Sequence, residues 1–201
     1  MRQHPQFDAD CLYGGGNIDT SCVKSIGGVL DLLVANLSEI DTVTYNATPG
    51  DYLNAVDTFA LAPGAFLYRL RPLRTTGSGL TEAQGVGGGG AINYNETVTG
   101  QLAGMTQFNR NLFDSFVGAS LVAFVKMREQ DANTPGAPKW FVYGLEGGLL
   151  GSGSMTTGAA DADLSGFTIT MTGTTTVPAR QFALAGDPST ANADLEALVF
   201  P

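Results

Sequence analysis

The chain has 201 residues, of which 43% are hydrophobic and 14% charged, and this is enough apolar material for one good core. The charged fraction lies well below the roughly 25% of an average globular chain, and 27 glycines with many threonines and alanines stand in place of Lys and Glu, which favours strands and loops over exposed helices. Nineteen acids against ten bases leave a net charge of -9, which excludes a protein that grips nucleic acid by neutralising phosphates, while the ordinary apolar fraction excludes disorder of the whole chain.

The first residues, from Met1 to Asp8, lack the apolar core of a secretory signal. The most apolar stretch, 26–37, carries Asp31 and is too short to span a bilayer. Cys11 and Cys22 fit neither a CxxC redox pair nor a four-ligand zinc site and are expected as free thiols in a reducing cytoplasm.

In chain order, residues 1–25 are polar and Gly-rich, without sustained periodicity, and are expected as an N-terminal arm. The 26–37 stretch reads as a strand or a short buried helix, with the strand favoured. Residues 40–45 alternate and end before Pro49-Gly50, a strand followed by a turn. Residues 66–73 put Phe66, Tyr68 and Leu70 on one face and Leu67, Arg69 and Arg71 on the other, a half-buried strand ending near Pro72.

Residues 75–90 hold seven glycines in sixteen positions and no apolar period, so they are expected as one long contact loop. Residues 91–100 alternate again, with a wet or partner-facing side. The period then changes. Met105, Phe108, Leu112 and Phe116, with Phe113 beside them, form a helical stripe, with Thr106 as its N-cap and Gly118 as its stop. The apolar run 120–127 is too continuous for a half-exposed strand and is expected at the centre of a sheet. A turn over 131–138 and a strand over 139–145 complete a hairpin, 146–154 reads as a second flexible segment, and 164–175 alternates Phe167, Ile169 and Met171 with threonines. Residues 26–177 are thus expected as a single β-rich domain and 178–201 as a C-terminal arm.

Signatures of chemistry are sparse. The single histidine, His4, stands near the start of the sequence, a poor place for a catalytic base. No HExxH, calcium-loop or Cys/His pattern occurs, so neither a cofactor nor a metal is expected. The stretch 85–90 matches GxGxxG in form but neither follows a strand nor opens a helix. Asp161 and Asp163 read as a solvated turn. These features point to a protein that is not an enzyme. Charge is uneven: residues 1–60 sum to -6, residues 61–145 to +2 and residues 146–201 to -5. The one basic cluster, Arg69, Arg71 and Arg74, is expected to pair with a neighbouring subunit's carboxylates, with Gly85, Gly87 and Gly90 in the same contact region.

The segment 90–180 carries a resemblance: a strand "INYNETVTGQL", a helix "MTQFNRNLFDSF", the strands "SLVAFVKM" and "KWFVYGLEGGL", then "ADLSGFTITMTGTTTVPAR". In this order they resemble the tail-tube proteins of tailed bacteriophages, especially those of Bacteroidetes hosts. The resemblance implies a mainly β fold, a β-sandwich or barrel of the tail-tube type with one flanking short helix. It further implies a structural virion protein assembled in the host cytoplasm, whose homohexameric rings stack into a tube, meet other tail proteins at the tube ends and pass DNA without tight binding or membrane contact. Acids facing the lumen would let DNA slide, and Glu96, beside Asn93 and Asn95, is the candidate. The alternatives are another virion ring component, a tail terminator or connector, or a β-sandwich binding module, for which Trp140, Phe141 and Tyr143 are the only aromatic cluster and fit core packing better.

Overall fold

The computed structural model describes residues 28–50, 52–72, 79–86, 91–131, 134, 136–157 and 165–201. The expected arm 1–25, His4, both cysteines, Arg74, Gly87, Gly90, Asp161 and Asp163 lie outside them.

The fold is mainly β. The strands are β1 (Val29–Asn36), β2 (Ile40–Tyr45), β3 (Val56–Leu61), β4 (Tyr68–Pro72), β5 (Gly79–Val86), β6 (Ala91–Ala103), β7 (Ser120–Gln130), β8 (Pro138–Tyr143), β9 (Leu149–Thr156), β10 (Gly166–Thr175) and β11 (Arg180–Gln181), with helices α1 (Gln107–Phe116) and α2 (Ala191–Glu196). The antiparallel pairings β1–β4, β4–β6, β6–β10, β10–β9, β9–β7 and β7–β1 run round in a closed ring of six, a barrel without edges in its wall. Two strands outgrow the ring. β6 pairs β4 near its C-terminal end and β5 along the rest, and β7 pairs β9 near its start and β8 further on. β2 and β3 form a separate hairpin.

The apolar runs of β1 and β7 are continuous because both of their faces are covered. Leu32 and Val34 on β1, with Leu121, Ala123 and Val125 on β7, point into the barrel beside Val98, Ile169 and Met171. Leu33 and Ala35, with Val122 and Phe124, point the other way into a second core with Val56, Trp140, Phe182 and Leu195. Period two holds in each core separately, and overlaying the two erases the alternation along the chain.

That second core overturns the expected C-terminal arm. Residues 178–201 are its lid: β11 pairs β8, Phe182, Ala183, Ala191 and Leu195 are buried, and the chain end returns to bond Leu67. Phe182 and α2 reach their partners through tertiary contact, which a short Ala- and Asp-rich sequence does not announce. The expected 75–90 loop is corrected as well: β5 spans 79–86 and pairs β6 from Gly79↔Val98 to Val86↔Ala91, so the partner strand's ladder overrides the weak local propensity. The 146–154 segment is corrected to a tight turn and β9, held between β10 and β7.

α1 begins where the sequence places it, with the Thr106 hydroxyl accepting from the Asn109 N–H at 3.1 Å, and Gly118 following its end. Thr106→Ala is expected to cost about 1 kcal/mol, read as a lower urea midpoint at unchanged slope. Leu112 and Phe116 are buried in the barrel core, whereas Phe108, at the stripe's start, is half exposed and stacks on Phe200 at 5.7 Å.

Candidate functional site

One end of the barrel gathers the chain's most unusual electrostatics. Glu96 sits on β6 opposite Gly173 of β10, and its side chain enters the barrel mouth, leaving the residue 2% exposed. Its carboxylate accepts the Gly144 N–H at 2.8 Å. Gly144 closes β8 with a φ of 82°, and a Cβ there would lie 2.7 Å from the Leu121 carbonyl oxygen, so glycine alone gives the N–H this aim. Burial pushes the Glu96 carboxyl up to about 6; the Gly144 hydrogen bond opposes that shift and the charge of Glu146 adds to it.

Glu146 stands on the 144–148 turn, where its Oε1 lies 3.5 Å from the Arg180 guanidinium and its Oε2 accepts from the Thr176 hydroxyl. Arg180, on β11, also donates to the Asn54 carbonyl at 3.0 Å and covers the Tyr45 ring at 4.1 Å. Burial raises the Tyr45 hydroxyl, with Arg180 opposing. The chain Glu96–turn–Glu146–Arg180–Tyr45 thereby joins the barrel mouth to the β2–β3 hairpin.

Beneath the turn is a void of about 10 Å³, room for roughly one water, with Glu96, Glu146 and Arg180 in its wall. An open groove of about 480 Å³ adjoins it, between 52–55 and 177–181. Among the described residues Arg180 is its one charged lining residue, and the Nε of that side chain is enclosed without a hydrogen-bond partner. Behind the groove, Asp131, 4% exposed, accepts from the Tyr52 hydroxyl at 2.7 Å, the Gln181 amide at 2.5 Å and the Thr134 N–H at 3.0 Å. The cluster can hold or release a proton at Glu96. Among the described residues no group of three or more His, Cys, Asp or Glu is placed to hold a metal ion, and no helix is long and apolar enough to cross a membrane.

Of the expected site residues the described ones are Arg69 and Arg71 on β4, Gly85 on β5 and Glu96 on β6. Glu96 is corrected: with its carboxylate inside the barrel it offers no charge to a lumen, because its neighbours Asn93 and Asn95 belong to a strand whose alternate positions point to opposite faces. Arg69, expected to pair with a neighbouring subunit's carboxylates, pairs within its own chain with Asp31 at 3.2 Å and with Glu196. Arg71 lies on β4 opposite Gln101, and Gly85 on β5 opposite Ile92. Trp140 and Tyr143 are core residues, as their pattern predicts.

The sequence hid Arg180, Tyr45, Asp131, Tyr52 and Gln181 as site residues, because their contacts join chain segments far apart. One signal was there to read: Arg180 is the only base among residues 146–201. No family model matches the chain, and neither a curated protein nor a solved structure matches it.

Proposed function

We propose that this chain is a structural virion protein, the repeating subunit of a phage tail tube built from stacked hexameric rings. The observation that carries the reading is the β5–β6 hairpin. β6 continues to Ala91, beyond its last partner on β10 at Thr175↔Tyr94, and the outer edge of β5 has no partner strand among the described residues. A projecting hairpin with an unpaired outer edge suits a sheet that continues into a neighbouring subunit.

A conduit wall must not hold polyanions, and the outer face of β9, β10 and β6 has the composition for that. Its rows run Ser152–Thr170–Thr99 and Ser154–Thr168–Gln101, hydroxyls and an amide without charge. The Ser152 hydroxyl donates to the Thr170 carbonyl at 3.0 Å. Such a surface neutralises no phosphates and so displaces few counterions from DNA, which lets a duplex slide. In this reading it replaces Glu96 as the lumen candidate.

The test is mass by light scattering with negative-stain imaging as concentration rises. Tubes roughly 100 Å wide, the width of six such domains around a duplex-sized hole, are expected. Single rings that do not stack would favour a terminator or connector. A mass that stays at 20.9 kDa at every concentration, with no particles, rejects self-assembly and favours a binding module using the 52–55/177–181 groove.

A further inference from the structure

Glu96 is held where a charge is costly and a neutral acid is not. Among the described residues its carboxylate accepts the Gly144 N–H, whereas an ionised carboxylate has about four acceptor sites to satisfy. No cation among the described residues lies within ion-pair distance of it, and Arg180, which lines the same void, is engaged by Glu146, the Asn54 carbonyl and the Tyr45 ring. The other charge facing it, Glu146 on the turn, has its own sign. From β10 come Gly173 and Thr175, both neutral.

The cover over Glu96 at the barrel mouth is the 144–148 turn, whose Gly144 N–H it accepts. The 144–148 turn contains three glycines, Gly147 and Glu146 are exposed, and the turn closes on one internal bond from the Gly148 N–H to the Gly144 carbonyl at 2.9 Å. It rests on Gly173, where an added Cβ would lie 2.8 Å from the Gly148 carbonyl oxygen. The void beneath gives water a foothold beside the carboxyl.

We infer that the 144–148 turn is a proton-operated latch: it stays docked on the barrel mouth while Glu96 is neutral and undocks when Glu96 ionises. The inference is independent of the tail-tube reading. Its direction follows from the carboxyl's favouring the proton more when docked than when open to water: acid closes the latch, and rising pH through about 6 opens it.

Amide hydrogen exchange by NMR, corrected for the intrinsic rate and followed from pH 4.5 to 8, reads the latch directly. Protection at Gly144 and Gly148 is expected to fall roughly fifteenfold across that range, the ratio set by a carboxyl moving between about 6 when docked and its ordinary value when open. Glu96→Gln keeps an acceptor for Gly144 and should flatten the profile. Glu146→Gln, which keeps an acceptor for the Thr176 hydroxyl while removing the charge, should move the midpoint to lower pH, and it decides the matter should Glu96→Gln fold poorly. A flat wild-type profile, an unchanged slope in Glu96→Gln or an unmoved midpoint in Glu146→Gln would overturn the inference. So would turn amides that exchange in step with those of Val122 and Phe124 in the core, because the opening would then be global.

Discussion

A chain ended after Gln181 will lose its cooperative fold, and Phe182→Ala in the full chain will lose roughly 3–5 kcal/mol, read from urea midpoints at constant slope. Phe182 is fully buried, with edge contacts to Phe59 at 6.0 Å and Phe124 at 5.8 Å, and its N–H donates to the Trp140 carbonyl at 2.9 Å. The truncation strips Ala183, Ala191 and Leu195 from the second core along with Phe182, and it takes Asn192 away from the Trp140 indole N–H, which it accepts at 2.9 Å. Phe124, Val142 and Trp140 would then face water. Loss on that scale is comparable with the whole stability of a domain this size. If the shortened chain melted cooperatively near the full-length temperature, the second core would not be part of the fold.

The second large effect is expected at Gly151. β9 runs directly under the end of α1 there: the Gly118 N–H donates to the Gly151 carbonyl at 2.8 Å, and the Gly151 N–H donates to the Ala119 carbonyl at 3.1 Å. A Cβ on Gly151 would lie 2.0 Å from the Phe116 carbonyl oxygen and 3.0 Å from a Leu121 methyl. Both atoms belong to anchored parts, one to the backbone of α1 and one to the barrel core, so the helix must lift. Gly151→Ala should cost about 3 kcal/mol and Gly151→Val more, since lifting the helix draws Phe116 and Leu112 out of the barrel. Ser152→Ala, one position along and exposed on the opposite face, should stay within about 0.5 kcal/mol. Equal midpoints for the Gly151→Ala and Ser152→Ala variants would mean that the close approach does not exist.

Where a residue's neighbours are its own chain neighbours, the sequence was readable. Thr106 caps α1 by accepting an N–H only three residues further on, and the alternation of Phe167, Ile169 and Met171 is that of a strand with one buried face. The run 120–127 announced a central strand because both of its faces are apolar, although nothing in it told that the faces belong to two different cores. β5 and β9 failed to show because Gly, Ala, Glu and Gln in the one and Gly and Ser in the other give little strand propensity: they are held by ladders to β6 and β10. Glu96 looked wet beside Asn93 and Asn95, and only the closed ring of strands turns it inward.

Local chemistry therefore determined the mainly β character, the place and cap of the one strong helix, and an acidic chain ill suited to holding phosphate. Tertiary structure alone decided the closure of the barrel, the use of the C-terminal residues as a lid, and the burial of Glu96 under a glycine turn. The reason is physical: propensity and periodicity act over a few residues, whereas desolvating a carboxylate or covering a second face depends on segments that meet only when the chain has folded.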